Sequence, residues 1–208
     1  MIPHMIKTIV FDIGNVMMRF DWHAYVNARY DGDTVNAVNE SLWFTGYWNE
    51  LDRGVFPEEE IFRMMKEHRP SYSEQIADAC ENVAECMHKC DYAVPWVKEL
   101  KNRGYRVLYL SNYSGFLIRR CPEVLDFLPY TDGGVFSYKV KHVKPEPDIY
   151  MILLETYGLK AEECVFIDDN INNIDAANHL GFNTIHFTEY ETVYRKLNDL
   201  LERKGIYR

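Results

Sequence analysis

The chain has 208 residues, 47% of them hydrophobic and 26% charged, which is enough apolar surface for a folded core and excludes a disordered segment. A formal net charge of −9 with no clustered basic face argues against polyanion binding, so nucleic acid is not an expected partner. No apolar run approaches the ~20 residues that cross a bilayer, and the first eleven residues lack a secretory leader, so no membrane partner and a cytoplasmic location are expected.

Taken in chain order, Thr8-Ile9-Val10-Phe11 is a continuous apolar run that stops at Asp12. Such β-rich runs without alternation suit strands covered on both faces. Residues 17–90 contain no comparable run. Instead Trp43, Phe44, Tyr47, Trp48, Ile61, Phe62, Met64 and Met65 recur mostly at helical spacings, which predicts a helical insertion; stripes of this kind pack in cores more often than they touch ligands. Cys80, Cys86, Cys90, Cys121 and Cys164 form no CxxC pair and fit free thiols in a reducing compartment.

A helical pattern over 94–100 stops near Gly104, and the strand-like run 106–110 then leads into Ser111-Asn112. Lys144-Pro145 stands ahead of a helix over 148–157, with Ile149, Ile152, Leu153 and Tyr157 on one stripe and Gly158 as its stop. The run 164–167 leads into Asp168-Asp169, Ile174, Ala177 and Leu180 mark another helix ending at Gly181, and 183–187 is a last strand. The expected fold is α/β: a doubly wound, Rossmann-like parallel sheet built from residues 1–16 and 91–208, with a helical cap over 17–90 inserted after the first strand.

In open α/β sheets ligands bind beyond the carboxyl ends of the strands. Asp12, Ser111 with Asn112, and Asp168 with Asp169 should therefore converge, with Lys144 nearby. A nucleophilic carboxylate, a hydroxyl, a cation and an acidic pair are what phosphoryl transfer requires. Each residue taken singly also fits a helix cap. The adjacent carboxylates Asp168 and Asp169 are harder to explain so, because they repel unless a cation sits between them. Lys141 is the alternative to Lys144 for the cationic role; the position before Pro145 favours Lys144.

Four motifs in this order, Phe11-Asp12-Ile13-Gly14-Asn15-Val16, Leu110-Ser111-Asn112, Lys144-Pro145 and Ile167-Asp168-Asp169-Asn170, make the chain resemble the haloacid dehalogenase superfamily. The sugar-phosphatase branch related to α-glucose-1-phosphatase is the nearest likeness, and the phosphatase domain of soluble epoxide hydrolase a more distant one. The resemblance implies that Asp12 attacks phosphorus and forms an aspartyl-phosphate. It implies that Asp12, Asp169, Asp168 and the Gly14 carbonyl hold Mg2+, that Ser111 holds a phosphoryl oxygen, and that Lys144 neutralises the site. Asn112 and Asn15 would contact the phosphate, Asn173 would support the acidic pair, and the substrate would be a small phosphorylated metabolite. Nothing in the sequence fixes an oligomeric state.

Position 14 departs from the common pattern, in which a second Asp acts as general acid and base. Asp21 and Asn15 are candidates to assist. Two rival readings follow: haloacid dehalogenation by the same Asp, which needs no leaving-group proton, and a catalytically weak phosphate-ligand-binding regulatory protein. Trp43, Tyr47, Trp48 and Arg53 are the candidate substrate contacts from the insertion.

Overall fold

The computed structural model describes residues 5–205; the outermost parts of the expected core segments, 1–4 and 206–208, lie outside them. Five strands form one parallel sheet in the order β5-β4-β1-β6-β7: β1 (Thr8–Phe11), β4 (Arg106–Ser111), β5 (Gly134–Phe136), β6 (Cys164–Asp168) and β7 (Asn183–His186). The register pairs Phe11 with both Tyr109 and Ile167, so Asp12, Ser111 and Asp168 leave the sheet on the same edge.

Both faces are covered, which is why these strands read as unbroken apolar runs. Val10, Leu108, Leu110 and Phe166 point to one side, against Ile149, Tyr150 and Leu153 of α9 (Pro147–Tyr157) and Ile174 and Ala177 of α10 (Ile171–His179). Ile9, Phe11, Val107, Val165 and Ile167 point to the other side, against Trp96, Val97 and Leu100 of α6 (Ala93–Asn102) and Val193, Leu197 and Leu201 of α11 (Tyr190–Gly205). Phe11 and Trp96 pack with ring centroids 4.6 Å apart. At ~25 cal/mol per Å² of buried apolar area, residues of this size contribute about 1.5–3 kcal/mol each.

The stretch expected to be wholly helical opens and closes on a two-stranded antiparallel ribbon, β2 (Met18–Phe20) with β3 (Met87–Lys89). Between its strands lie α1 (Trp22–Arg29), α2 (Gly32–Asn39), α3 (Tyr47–Arg53), α4 (Glu58–His68) and α5 (Ser73–Glu81). Two short helices complete the chain: α7 (Gly115–Arg120) after β4 and α8 (Ser137–Val140) after β5.

From β1 the chain moves to β4 and β5 on one side, then crosses to β6 and β7 on the other. The reversal leaves a crevice at the carboxyl ends of β1 and β6, where such sheets bind ligands.

Candidate active site

Immediately after β1, the Ile13 carbonyl accepts from the amides of Val16, Met17 and Met18 at 3.3, 2.9 and 3.1 Å. This tight turn places Asn15 at φ 53°, a left-handed conformation that Asn tolerates better than most residues. The Asp12 amide donates to the Ile167 carbonyl at 2.8 Å, fixing the first motif against the last. As a result Asp12, Asp168 and Asp169 each offer an oxygen within 4.8 Å of the others.

Lys144 enters this acidic cluster with its side chain 1% exposed, Nζ lying 2.7 Å from Asp12 Oδ1 and 2.6 Å from Asp168 Oδ2. The approach to Asp12 is a charge contact without hydrogen-bond alignment, since Asp12 Oδ1 is buried with no aligned donor. Burial alone would lower the lysine's proton affinity, but Asp12 and Asp168 outweigh it and hold the ammonium charged. Lys141, the alternative cation, turns away and donates to the Gly54 carbonyl.

Asp168 is saturated. Its carboxylate accepts from Lys144 Nζ, from the Asn170 amide at 2.8 Å, and from Asn173 Nδ2 at 3.0 and 3.1 Å. It therefore anchors Lys144 while keeping an oxygen within 4.8 Å of those of Asp12 and Asp169. Burial raises Asp169, with Asp168 adding to the effect. Burial also pushes Asp12 up to about 7, with Asp168 and Asp169 raising it and Lys144 opposing. Three carboxylates against one ammonium leave a negative surplus suited to a divalent cation, and an oxygen-only donor set suits Mg2+.

The side chains of both asparagines expected on the phosphate hydrogen-bond within the protein. Asn112 accepts from the Lys144 amide at 2.7 Å and donates to its carbonyl at 2.9 Å, a two-point clamp on the lysine's backbone. Asn15 accepts from the Phe20 amide at 3.0 Å and donates to Asp169 Oδ2 at 3.2 Å. Ser111, the last residue of β4, is buried. Asp21 caps α1 through the Ala24 amide at 3.4 Å and pairs with Arg19, so it is a structural residue. Among the insertion candidates, Trp43 and Trp48 pack on each other and on Phe20 at 4.3, 5.4 and 6.0 Å, beside the Asn15 turn. Tyr47 instead faces His68. Arg53 is committed to Glu146 through two hydrogen bonds of 2.9 and 2.7 Å.

One acidic residue escaped the sequence reading. Asp52, on α3, is buried, and its Oδ1 has no hydrogen-bond partner among the described residues. Burial and then the Asp12 charge push its carboxyl up to about 8, against an opposing effect from Lys144. The available signal was its place in an apolar stripe with Trp48 and Leu51, at i, i+3 and i+4 spacing.

A family model described as haloacid dehalogenase-like hydrolase matches residues 6–181. A D-ribitol-5-phosphate phosphatase of Bacteroides thetaiotaomicron is 28% identical, over 86% of this chain and 91% of its own. A drimenol cyclase of Aspergillus calidoustus is 23% identical over 94% of this chain, which spans 37% of that protein's length. Among solved structures, a HAD-like family hydrolase from Porphyromonas gingivalis superposes with a TM-score of 0.73 at 25% identity, covering 95% of this chain and 98% of that one. A HAD family enzyme of Bacteroides thetaiotaomicron in complex with magnesium and inorganic phosphate gives 0.67 at 21%, covering 88% and 94%. With the four motifs meeting at one sheet edge and the family model spanning most of the sequence, the chain belongs to the haloacid dehalogenase-like hydrolases.

Proposed function

We propose that this hydrolase is a magnesium-dependent phosphatase acting on small phosphate monoesters, sugar phosphates above all, through an aspartyl-phosphate on Asp12. The observation that carries the reading is the cluster of three carboxylates within 4.8 Å, bridged on one side by a buried ammonium. Asp12, Asp169 and the Gly14 carbonyl would hold the cation, which supplies neutralising charge for the phosphoryl oxygens. Asp12 attacks phosphorus and is later released by water. Lys144 offsets the repulsion between Asp12 and the incoming phosphate, about 4 kcal/mol per unit-charge pair at 4 Å and an effective dielectric of 20. Asp168 and Asn112 hold the Lys144 side chain and backbone, Asn15 and Asn173 orient Asp169 and Asp168, and Ser111 holds a phosphoryl oxygen.

Residues 17–90 would act as a cap on a core of 1–16 and 91–208, excluding water from the crevice. The Phe20, Trp43 and Trp48 rings form an aromatic wall beside the Asn15 turn, a surface on which a sugar face can stack. The phosphatase named among the relatives acts on a phosphorylated sugar alcohol and a structural neighbour binds magnesium and phosphate, which supports the reading. Haloacid dehalogenation is disfavoured because three carboxylates served by one lysine would repel an anionic haloacid.

The test is hydrolysis of p-nitrophenyl phosphate. We expect magnesium-dependent turnover, abolished by chelator and lowered at least a thousandfold by Asp12→Asn with the fold intact by circular dichroism. Full activity in Asp12→Asn would overturn the nucleophile. Binding of the ester without turnover would favour the regulatory reading.

A further inference from the structure

Replacing the usual second aspartate by Gly14 leaves the leaving group without an obvious proton donor. The space there is open: a Cβ on residue 14 would meet no atom within 4 Å. Apart from Asp12, residues 12–20 of the β1 turn and ribbon carry no carboxylic acid, and Asp21 caps α1.

The acid comes from the opposite side. Three contacts fasten the end of α3 onto the sheet edge that carries the site. Ser137 Oγ donates to the Asp52 carbonyl at 2.6 Å while accepting from the Tyr113 amide at 2.9 Å. Arg53 forks onto Glu146, two residues past Lys144, and Lys141 reaches the Gly54 carbonyl. From the other flank, Trp48, one helical turn before Asp52, packs on Phe20, whose amide is held by Asn15. Asp52 is thereby held beside the Tyr113–Ser114 segment, within electrostatic reach of Asp12 and Lys144. Its Oδ1 is buried with no partner among the described residues, a costly arrangement for a carboxyl unless it serves a ligand. The groups facing it are Asp12 and Lys144 from the sheet edge, the Ser114 amide, and Tyr113, whose hydroxyl is also buried without a partner among the described residues; Arg53, one residue on, and Glu146 and Lys141 are committed to the fastening contacts.

We propose that Asp52 is the catalytic acid and base of this enzyme, replacing from the helical insertion the carboxyl group that position 14 lacks. The proposal rests on the phosphatase reading above. As the Asp12 oxygen bonds to phosphorus and the bond from phosphorus to the leaving oxygen breaks, that oxygen takes the Asp52 proton and departs as an alcohol. Asp52, now a carboxylate, then takes a proton from the water whose oxygen attacks the aspartyl-phosphate. The bond from phosphorus to Asp12 breaks, inorganic phosphate leaves, and both aspartates return to their starting states. Neutral Asp52 is the form this cycle needs at the start. Because the donor lies on the insertion, the site is complete only when α3 is docked.

The experiment compares two esters of the same shape, p-nitrophenyl phosphate and phenyl phosphate, in magnesium, by release of the phenol in the first turnover. Nitrophenolate departs readily without a proton, whereas phenolate departs far more slowly without one. Asp52→Asn should leave the first-turnover release of p-nitrophenol within about threefold of wild type and slow that of phenol by ~10². Asp52→Glu, which keeps an acid, should hold the ratio of the two rates within about tenfold of wild type. Equal slowing of both esters in Asp52→Asn, or a Glu variant whose ratio matches that of the Asn variant, would overturn the assignment while leaving the phosphatase reading intact. Wild-type protein that releases neither phenol would instead overturn that reading, and this inference with it.

Discussion

Burial penalises an ionised carboxyl unless a cation or aligned donors compensate, and the buried aspartates of this protein meet that penalty in different ways. Asp168 accepts from Lys144, Asn173 and the Asn170 amide. Asp12 has Lys144 alone, and Asp52 has no aligned partner at Oδ1. The Asp52 carboxyl, pushed up to about 8 from an ordinary 3.8, keeps a proton in the folded protein that the unfolded chain releases. Its contribution to stability is then fully present below about pH 4 and lost as pH rises through about 8. Asp52→Asn has no proton to lose there. The melting temperature of that variant relative to wild type should therefore climb between pH 5 and 8 and level off above. A difference that stays flat across that range would show that Asp52 is ionised throughout.

At the scale of elements, α3 matters because its last turn joins the insertion to the sheet edge. The Arg53–Glu146 fork is partly exposed, with side chains 21% and 35% accessible, so solvent screens it and its worth is modest. A double-mutant cycle with Arg53→Met and Glu146→Gln should give a coupling of about 1 kcal/mol in urea unfolding; zero coupling would mean that the pair does not fasten the helix. The strands β1, β4, β6 and β7 were legible within about a residue because continuous apolar runs mark them. Strand β5 was not: it begins at Gly134 and follows Gly133, both at positive φ. At Gly134 a Cβ would lie 2.3 Å from the Tyr109 carbonyl, so close backbone approach, with no side-chain pattern to mark it, defines that strand. The β2–β3 ribbon was missed for a related reason. Its strands are three residues each, and β3 buries only Met87, too little for a period to show.

Across the whole molecule, the sequence order of the four motifs was enough to place Asp12, Lys144, Asp168 and Asp169 together, because topology alone delivers strand ends to one edge. What the side chains do at that edge was less legible. Asn15 and Asn112 carry phosphate-contacting side-chain types, yet their amides are spent on Asp169 and on the Lys144 backbone. That choice depends on distances between segments 154 and 32 residues apart. Asp52 was invisible for the same reason: nothing local distinguishes it from a solvated helical aspartate except its apolar neighbours. The structure thus turns a list of strand-end residues into an acidic centre braced by one ammonium, in which one carboxylate is proposed to attack and one acid to protonate.

The central claim is covalent chemistry at Asp12, and the most direct measurement is to trap it. Enzyme mixed with p-nitrophenyl phosphate and magnesium, quenched in acid within the first turnover, digested and weighed by mass spectrometry, should carry one phosphoryl group on the peptide containing Asp12, discharged by hydroxylamine. Phosphoryl on any other residue, or turnover with no labelled peptide, would contradict the account.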